Sequence, residues 1–176
     1  MALKRCFTGV ASASIFMIGV LLMASVPEAT AETLNLKMFN HVTKAEIFPI
    51  PDVAGHVVGV IVREGAAVLE SGELGWHKII QSIDLTIGAG TFGSYLTYTF
   101  LDGSTFTARM KGVAEAPHEG AVSTAKISGE VIHGEGRFQG IKGTMTISAK
   151  VLPPEKGELQ GKSLGEGILV YTVPGR

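Results

Sequence analysis

The chain has 176 residues, 18% of them charged, with 15 Lys and Arg against 16 Asp and Glu and an isoelectric point near 6.5. A balance this close to neutral supplies no basic surface for a phosphate backbone and no polybasic anchor for an anionic membrane, so nucleic acid is not an expected partner. The apolar fraction, 45%, is too high for a disordered chain.

Lys4 and Arg5 precede an apolar run, Ile15-Phe-Met-Ile-Gly-Val-Leu-Leu-Met-Ala24, and small residues, Ala29-Thr-Ala31, follow Val26-Pro27. This is the layout of a secretory signal, and its A-x-A site predicts cleavage after Ala31. The run is shorter than the roughly 20 residues of a bilayer span and is not followed by a stop-transfer charge cluster. Residues 1–31 are therefore expected to be a cleaved signal peptide and 32–176 a single mature domain, secreted or periplasmic, without a membrane span. Cys6, the one cysteine, lies ahead of the apolar run. The mature chain then has no thiol for a disulfide, a nucleophile or a metal site.

After Ala31 no stretch keeps a 3.6-residue apolar period, while β-branched residues recur between Gly and Pro punctuation. Strands are expected over 34–39, 43–48, 56–63, 66–70, 76–86, 93–101, 104–112, 122–132, 142–151 and 167–173, with shorter ones merging to give about eight. Val57-Val-Gly-Val-Ile-Val62 is apolar on both faces, as in a strand covered on each side. In 142–151, Lys142, Thr144, Thr146, Ser148 and Lys150 alternate with Gly143, Met145, Ile147, Ala149 and Val151, which gives one wet face. Asp102-Gly103 between two such runs predicts a hairpin with a type I′ turn. Connectors are expected at Pro49-Ile-Pro-Asp-Val53, Glu115-Ala-Pro-His-Glu-Gly120 and Pro153-Pro-Glu-Lys-Gly-Glu-Leu-Gln-Gly161. Short strands at this spacing predict an all-β fold, and a small closed antiparallel barrel of about eight strands leaves room for side chains or one small ligand.

Gly88-Ala-Gly-Thr-Phe-Gly93 matches G-x-G-x-x-G, yet a strand-like run follows it, so the helix that would hold a pyrophosphate is missing. Gly134-Glu-Gly-Arg-Phe-Gln-Gly140 has a related form. The two predict equivalent barrel corners with Phe92 and Phe138 plugging the barrel ends. The histidines, His41, His56, His77, His118 and His133, show no metal spacing, and no serine sits in a G-x-S-x-G elbow. His56 and His77 open strands, where histidine is commonly half exposed.

The run Gly134-Glu-Gly-Arg-Phe-Gln-Gly-Ile-Lys-Gly143, the hairpin Tyr95-Leu-Thr-Tyr-Thr-Phe-Leu-Asp-Gly-Ser-Thr105 and the export-type N-terminus resemble bacterial members of the allene oxide cyclase-like barrel superfamily, related in fold to plant dirigent proteins. The resemblance spans about Val57 to Val173. It implies an eight-stranded antiparallel barrel with a lumen, often trimeric, needing neither metal nor organic cofactor. No complete plant catalytic set aligns with this chain.

A barrel of this kind directs chemistry by holding a substrate in shape and stabilising charge with fixed polar groups. Glu73, in a turn, is a candidate general base. Tyr95 shares a strand face with Thr97 and Thr99 and is a candidate catalytic and ligand-binding group, whereas Tyr98, with Leu96 and Phe100, reads as packing. Arg63 ends an apolar strand and Arg109 interrupts another, so either is a candidate lumen cation for a carboxylate. Thr97 and Glu130 complete the ligand-binding candidates. For Glu73, Arg109 and Glu130, simple solvent exposure is the competing reading. The leading functional expectation is an exported, homo-oligomeric barrel that binds a small apolar or amphipathic molecule in its lumen. Two other readings stay open: a cofactor-free cyclase or isomerase of an unsaturated lipid or phenolic substrate, and a structural or envelope-interaction module whose lumen is packed by Phe92, Phe100, Phe106 and Phe138.

Overall fold

Alternation of apolar and polar residues at period two needs a surface to bury one face, and here eight strands meet that need by closing on themselves. The structure, a computed structural model, describes residues 30–116, 122–158 and 160–175. The expected signal sequence up to residue 29 and residues 117–120 of the expected Glu115–Gly120 connector lie outside the described residues.

The strands are β1 (Glu32–Pro49), β2 (His56–Leu69), β3 (Leu74–Thr86), β4 (Ala89–Phe100), β5 (Thr105–Glu115), β6 (Ser123–Glu135), β7 (Lys142–Val151) and β8 (Ser163–Thr172), with a 3₁₀ turn at Gly136–Phe138. Each pairs antiparallel with the next, and β8 returns to β1 from Glu32↔Tyr171 to Asn40↔Ser163. The fold is thus an all-β, closed, eight-stranded antiparallel barrel, and closure leaves none of these strands as an unpaired edge. Segments 34–39 and 43–48 merge into β1 through a bulge at Thr43, where Val42 pairs with Arg63 and Lys44 with Val62. Segments 56–63 and 66–70 merge into β2. The alternation expected of 142–151 holds, with Met145 and Ile147 buried and Lys142, Thr144, Thr146, Ser148 and Lys150 exposed.

The two ends of the barrel differ. At one end short turns join β2 to β3, β4 to β5 and β6 to β7; at the other β5 ends and β6 begins, and there lie the segment 50–55, the described residues of 152–162 and the tight β3–β4 turn. The short-turn end is filled. Tyr98, Phe100, Phe106, Phe138 and Tyr171 pack ring against ring, with Phe106 centred 4.9 Å from Tyr98 and 5.4 Å from Phe138. Phe138 enters this cluster because Gly136 adopts φ +62°, and a Cβ there would meet the Ser104 hydroxyl at 2.6 Å. Arg137 then folds back over the Phe100 ring at 4.4 Å and binds Glu73 at 2.6 Å and Asp102 at 3.4 Å, which ties the three short turns together.

The positive-φ hairpin turn falls elsewhere than expected. Asp102 keeps a negative φ; the Gly103 amide donates to the Phe100 carbonyl at 3.0 Å and only Gly103 is left-handed, at +80°, so 100–103 is a type I turn closed by a glycine. The two-residue turn with both central φ angles positive is Ile87-Gly88, at +51° and +79°. It leads directly into β4, so Gly88–Gly93 opens a strand and not a helix.

Candidate functional site

Above the aromatic cluster, toward the 152–162 segment, the barrel is hollow. A cavity of about 400 Å³ is walled by apolar side chains such as Ile61, Ile83, Phe92, Ile127 and Ile147, with Met38, Leu96 and Met110 also in its lining. Leu152, Pro153, Pro154, Gln160 and Gly161 of the β7–β8 connection border it. That connection is pulled tight where the Leu152 amide donates to the Lys162 carbonyl at 2.9 Å, and a Cβ on Gly161 would lie 1.5 Å from the Leu152 oxygen, so only glycine fits.

Arg63 is the one ionisable side chain among the described lining residues, and only 7% of it is exposed. The alternation of β2 turns it inward two residues after Ile61, across from Val42. Its Nη2 donates to the Gln160 side-chain oxygen at 2.8 Å and its Nη1 to the Gly161 carbonyl at 3.3 Å. Burial lowers its pKa, but a guanidinium stays charged inside proteins. Asn40, whose side-chain oxygen accepts from the Ser163 hydroxyl at 2.6 Å, Ser94 and Gln81 are further polar groups of the lining.

Below the cavity, the Tyr98 hydroxyl donates to the Met38 sulfur, and burial raises the tyrosine's pKa, so it stays a neutral phenol. His77, 3% exposed, stands 5.5 Å from the Tyr98 ring with neither ring nitrogen hydrogen-bonded. Burial brings it down to about 4 and keeps it neutral. His56, by contrast, opens β2 and is half-buried, as the sequence led one to expect. It bridges Asp52 at 2.7 Å and Asp84 at 2.9 Å, and these two carboxylates, Asp52 foremost, raise its pKa.

Of the residues singled out in the sequence, Arg63 lies in the lumen. The lumen-facing placement expected for Tyr95, Thr97, Arg109 and Glu130 is corrected by the register. Leu96, Tyr98 and Phe100 take the inner face of β4, so Tyr95, 51% exposed, and Thr97 turn outward. Tyr95 pairs with Arg109, which pairs with Glu130, and the last two form an ion pair on the outer surface. Thr97 and Thr107 share a hydroxyl contact of 3.0 Å beside them. Glu73 is at the filled end, held by Arg137, so it is brought together with neither the cavity nor Tyr95. Phe92 lines the cavity wall and Phe138 sits in the aromatic cluster, so the two G-x-G-x-F corners lie at opposite ends with different roles. Asn40, Ser163 and Gln160 escaped the sequence reading, and His77, expected there to be a half-exposed strand opener, is buried inside β3. Parity was the available signal for three of them: Asn40 continues the inward series Leu36, Met38; Ser163 precedes Gly165 and Gly167; His77 follows Gly75. Gln160 belongs to a loop, where parity says nothing. Among the described residues no group of three or more His, Cys, Asp or Glu is placed to hold a metal ion.

No family model matches the chain, and no curated protein matches it. Among solved structures it is similar to the pterocarpan synthase dirigent protein GePTS1, at 16% identity and a TM-score of 0.46 over 85% of this chain and 90% of that one.

Proposed function

We propose that the protein is an exported barrel of the allene oxide cyclase-like and dirigent-like type that binds a small apolar or amphipathic molecule in its lumen. The observation that carries this reading is the 400 Å³ cavity, whose wall is apolar with a few inward polar groups, the composition and size range of small-ligand sites. A packed structural module would fill that space. Here Phe100, Phe106 and Phe138 fill one end of the barrel, while Phe92 only lines the other. The candidates for a cyclase, Glu73 and Tyr95, do not meet in the lumen, so binding is the reading the geometry favours.

The test is titration of the mature protein, residues 32–176, with N-phenyl-1-naphthylamine, a neutral apolar fluorophore. Saturable binding at one site per barrel, abolished in Ala125→Trp, which places an indole in the cavity, is the expected result. A folded protein that shows no saturable binding overturns the proposal.

The barrel exterior supports a homo-oligomer as part of the same reading. Val60, Ile80 and Trp76 are large apolar residues exposed on the outer faces of β2 and β3, which is more apolar sheet surface than a lone barrel needs. Sedimentation velocity should show a species larger than one chain, and Ile80→Lys should dissociate it; a monomer at micromolar concentration would remove this part of the proposal.

A further inference from the structure

We propose that the lumen selects anions: its ligand is an apolar molecule carrying a single carboxylate or comparable anionic group, seated against Arg63. This rests on the lumen-binding reading and adds the charge of the ligand to it.

Arg63 stands without an ionic partner among the described residues. No carboxylate among the described residues makes an ion pair with it; the neighbouring Glu64 turns to the outer face and pairs with Lys78 at 3.1 Å. Both hydrogen-bond partners of the guanidinium, the Gln160 amide oxygen and the Gly161 carbonyl, are neutral. Those two bonds engage two of its five N–H donors. Taking a cation out of water is costly unless it is paired, and buried charges in proteins are normally paired for that reason. Arg63 is buried at the wall of an apolar cavity instead, and no Asp, Glu, Lys or His is among the described lining residues. Among the described lining residues the net charge is therefore plus one, with no carboxylate to neutralise it.

An incoming anion supplies the missing charge where water is excluded, and a planar carboxylate matches the guanidinium fork with two parallel hydrogen bonds. A neutral ligand of the same shape would gain the apolar contacts alone. A cationic one would meet repulsion in a low dielectric. The remainder of the wall, from Ile61 round to Ile147, suits a hydrocarbon or aromatic tail.

The test is displacement of bound N-phenyl-1-naphthylamine by matched pairs, laurate against dodecanol and 2-naphthylacetate against 2-(2-naphthyl)ethanol, with dodecylamine as the opposite charge. In the wild-type protein at pH 7.5 at least one acid should displace the probe at a concentration tenfold or more below its alcohol, and the amine should be the weakest of the aliphatic series. Which acid wins names the tail. Arg63→Met should collapse the acid-to-alcohol ratio to about one while keeping the neutral probe bound, and Arg63→Lys should give an intermediate ratio because it retains the charge without the fork. Equal displacement by acid and alcohol in the wild-type protein overturns the anion proposal and leaves lumen binding intact; this arm needs no variant to fold. A wild-type preference that survives in Arg63→Met overturns Arg63 as its source. Failure of the neutral probe itself to bind removes the lumen reading and this one with it.

Discussion

One barrel contains two interiors. From Tyr98 toward the short turns the lumen is solid with aromatic rings, and beyond Met38, Leu96 and Met110 it is open for about 400 Å³. The strands are continuous through both halves, so the difference comes from side-chain size at inward positions. β4 sends Tyr98 and Phe100 into one half and Ser94 into the other; β7 and β8 give the open half Ala149, Ser163 and Gly165. Rigid packing in one half frees the other from having to hold the fold together, which is the division expected where a rigid scaffold carries a binding site.

The sharpest test of that division is a pair of truncations. Phe106→Ala removes a fully buried ring from the solid half and should cost about 3–5 kcal/mol in urea unfolding. Phe92→Ala widens a space that is already open and should cost about 2 kcal/mol, since much of the ring has no packing partner on the cavity side. Equal costs would mean that the open half collapses in solution.

His77 gives the next largest effect, through pH. Its folded pKa of about 4 lies below the unfolded value near 6.5, so on acidification the unfolded chain takes up the proton first. Its contribution is complete above about pH 6.5 and is lost progressively down to about pH 4, a total of about 3 kcal/mol. His77→Phe keeps an aromatic ring beside Tyr98, removes two unpaired nitrogens and cannot be protonated. Its stability advantage over the wild type should therefore grow as pH falls from 7 to 4. An unchanging advantage would show that the imidazole has found a partner in solution.

A smaller effect separates the turns at the two ends. Ile87 holds φ +51°, a conformation that a β-branched side chain adopts only under strain. Its amide donates to the Gly55 carbonyl at 3.0 Å, which ties the turn to the 50–55 segment. Ile87→Asn should stabilise by about 1 kcal/mol, roughly 3 °C in Tm for a domain of this size. At the other end Gly103, at +80°, already has the residue its turn requires, and Gly103→Ala should destabilise by about 1 kcal/mol. A neutral Ile87→Asn would mean that the strain is relieved by motion.

These contrasts also mark how far the sequence could be read. Strand alternation identified the eight-strand barrel and the wet face of β7 because period two is a local property of the chain. Which face turns inward is set by closure, and that is where Tyr95, Thr97, Arg109 and Glu130 went astray: their face of β4 to β6 has hydroxyls and charges that suit either a polar lumen or water. Arg63 stood out because it ends the run Val57–Val62, but that run is apolar on both faces, so its parity with Ile61 told its direction only once closure had turned Ile61 inward. Asp102-Gly103 carried the usual turn signal, while Ile87-Gly88 carried a poor one and adopted the left-handed pair through its tie to Gly55. No local rule contains that contact. Gln160 and the loop carbonyl at Gly161 meet Arg63 across nearly a hundred residues, a distance no spacing argument spans.

The finest distinction between the two ends lies in how their connections are fastened. The short turns are tied by Arg137, a permanent cation, whereas the 50–55 segment is tied by His56 between Asp52 and Asp84. Those carboxylates raise the folded pKa of His56 above its unfolded value near 6.5, so the fastening is fully present below about pH 6.5 and is lost as pH rises through the folded pKa. A neutral imidazole can donate to one carboxylate only, and the other is left facing a lone pair. Hydrogen-exchange protection of the Ile50 and Ile87 amides, bonded to His56 and Gly55, should therefore fall several-fold between pH 5.5 and pH 8.5. Protection of the Gly103 amide at the Arg137 end should stay level. In His56→Gln the Ile50 and Ile87 amides should show the lower protection at both pH values. A parallel decline at both ends would point to global loosening and would overturn His56 as a local fastening of the 50–55 segment.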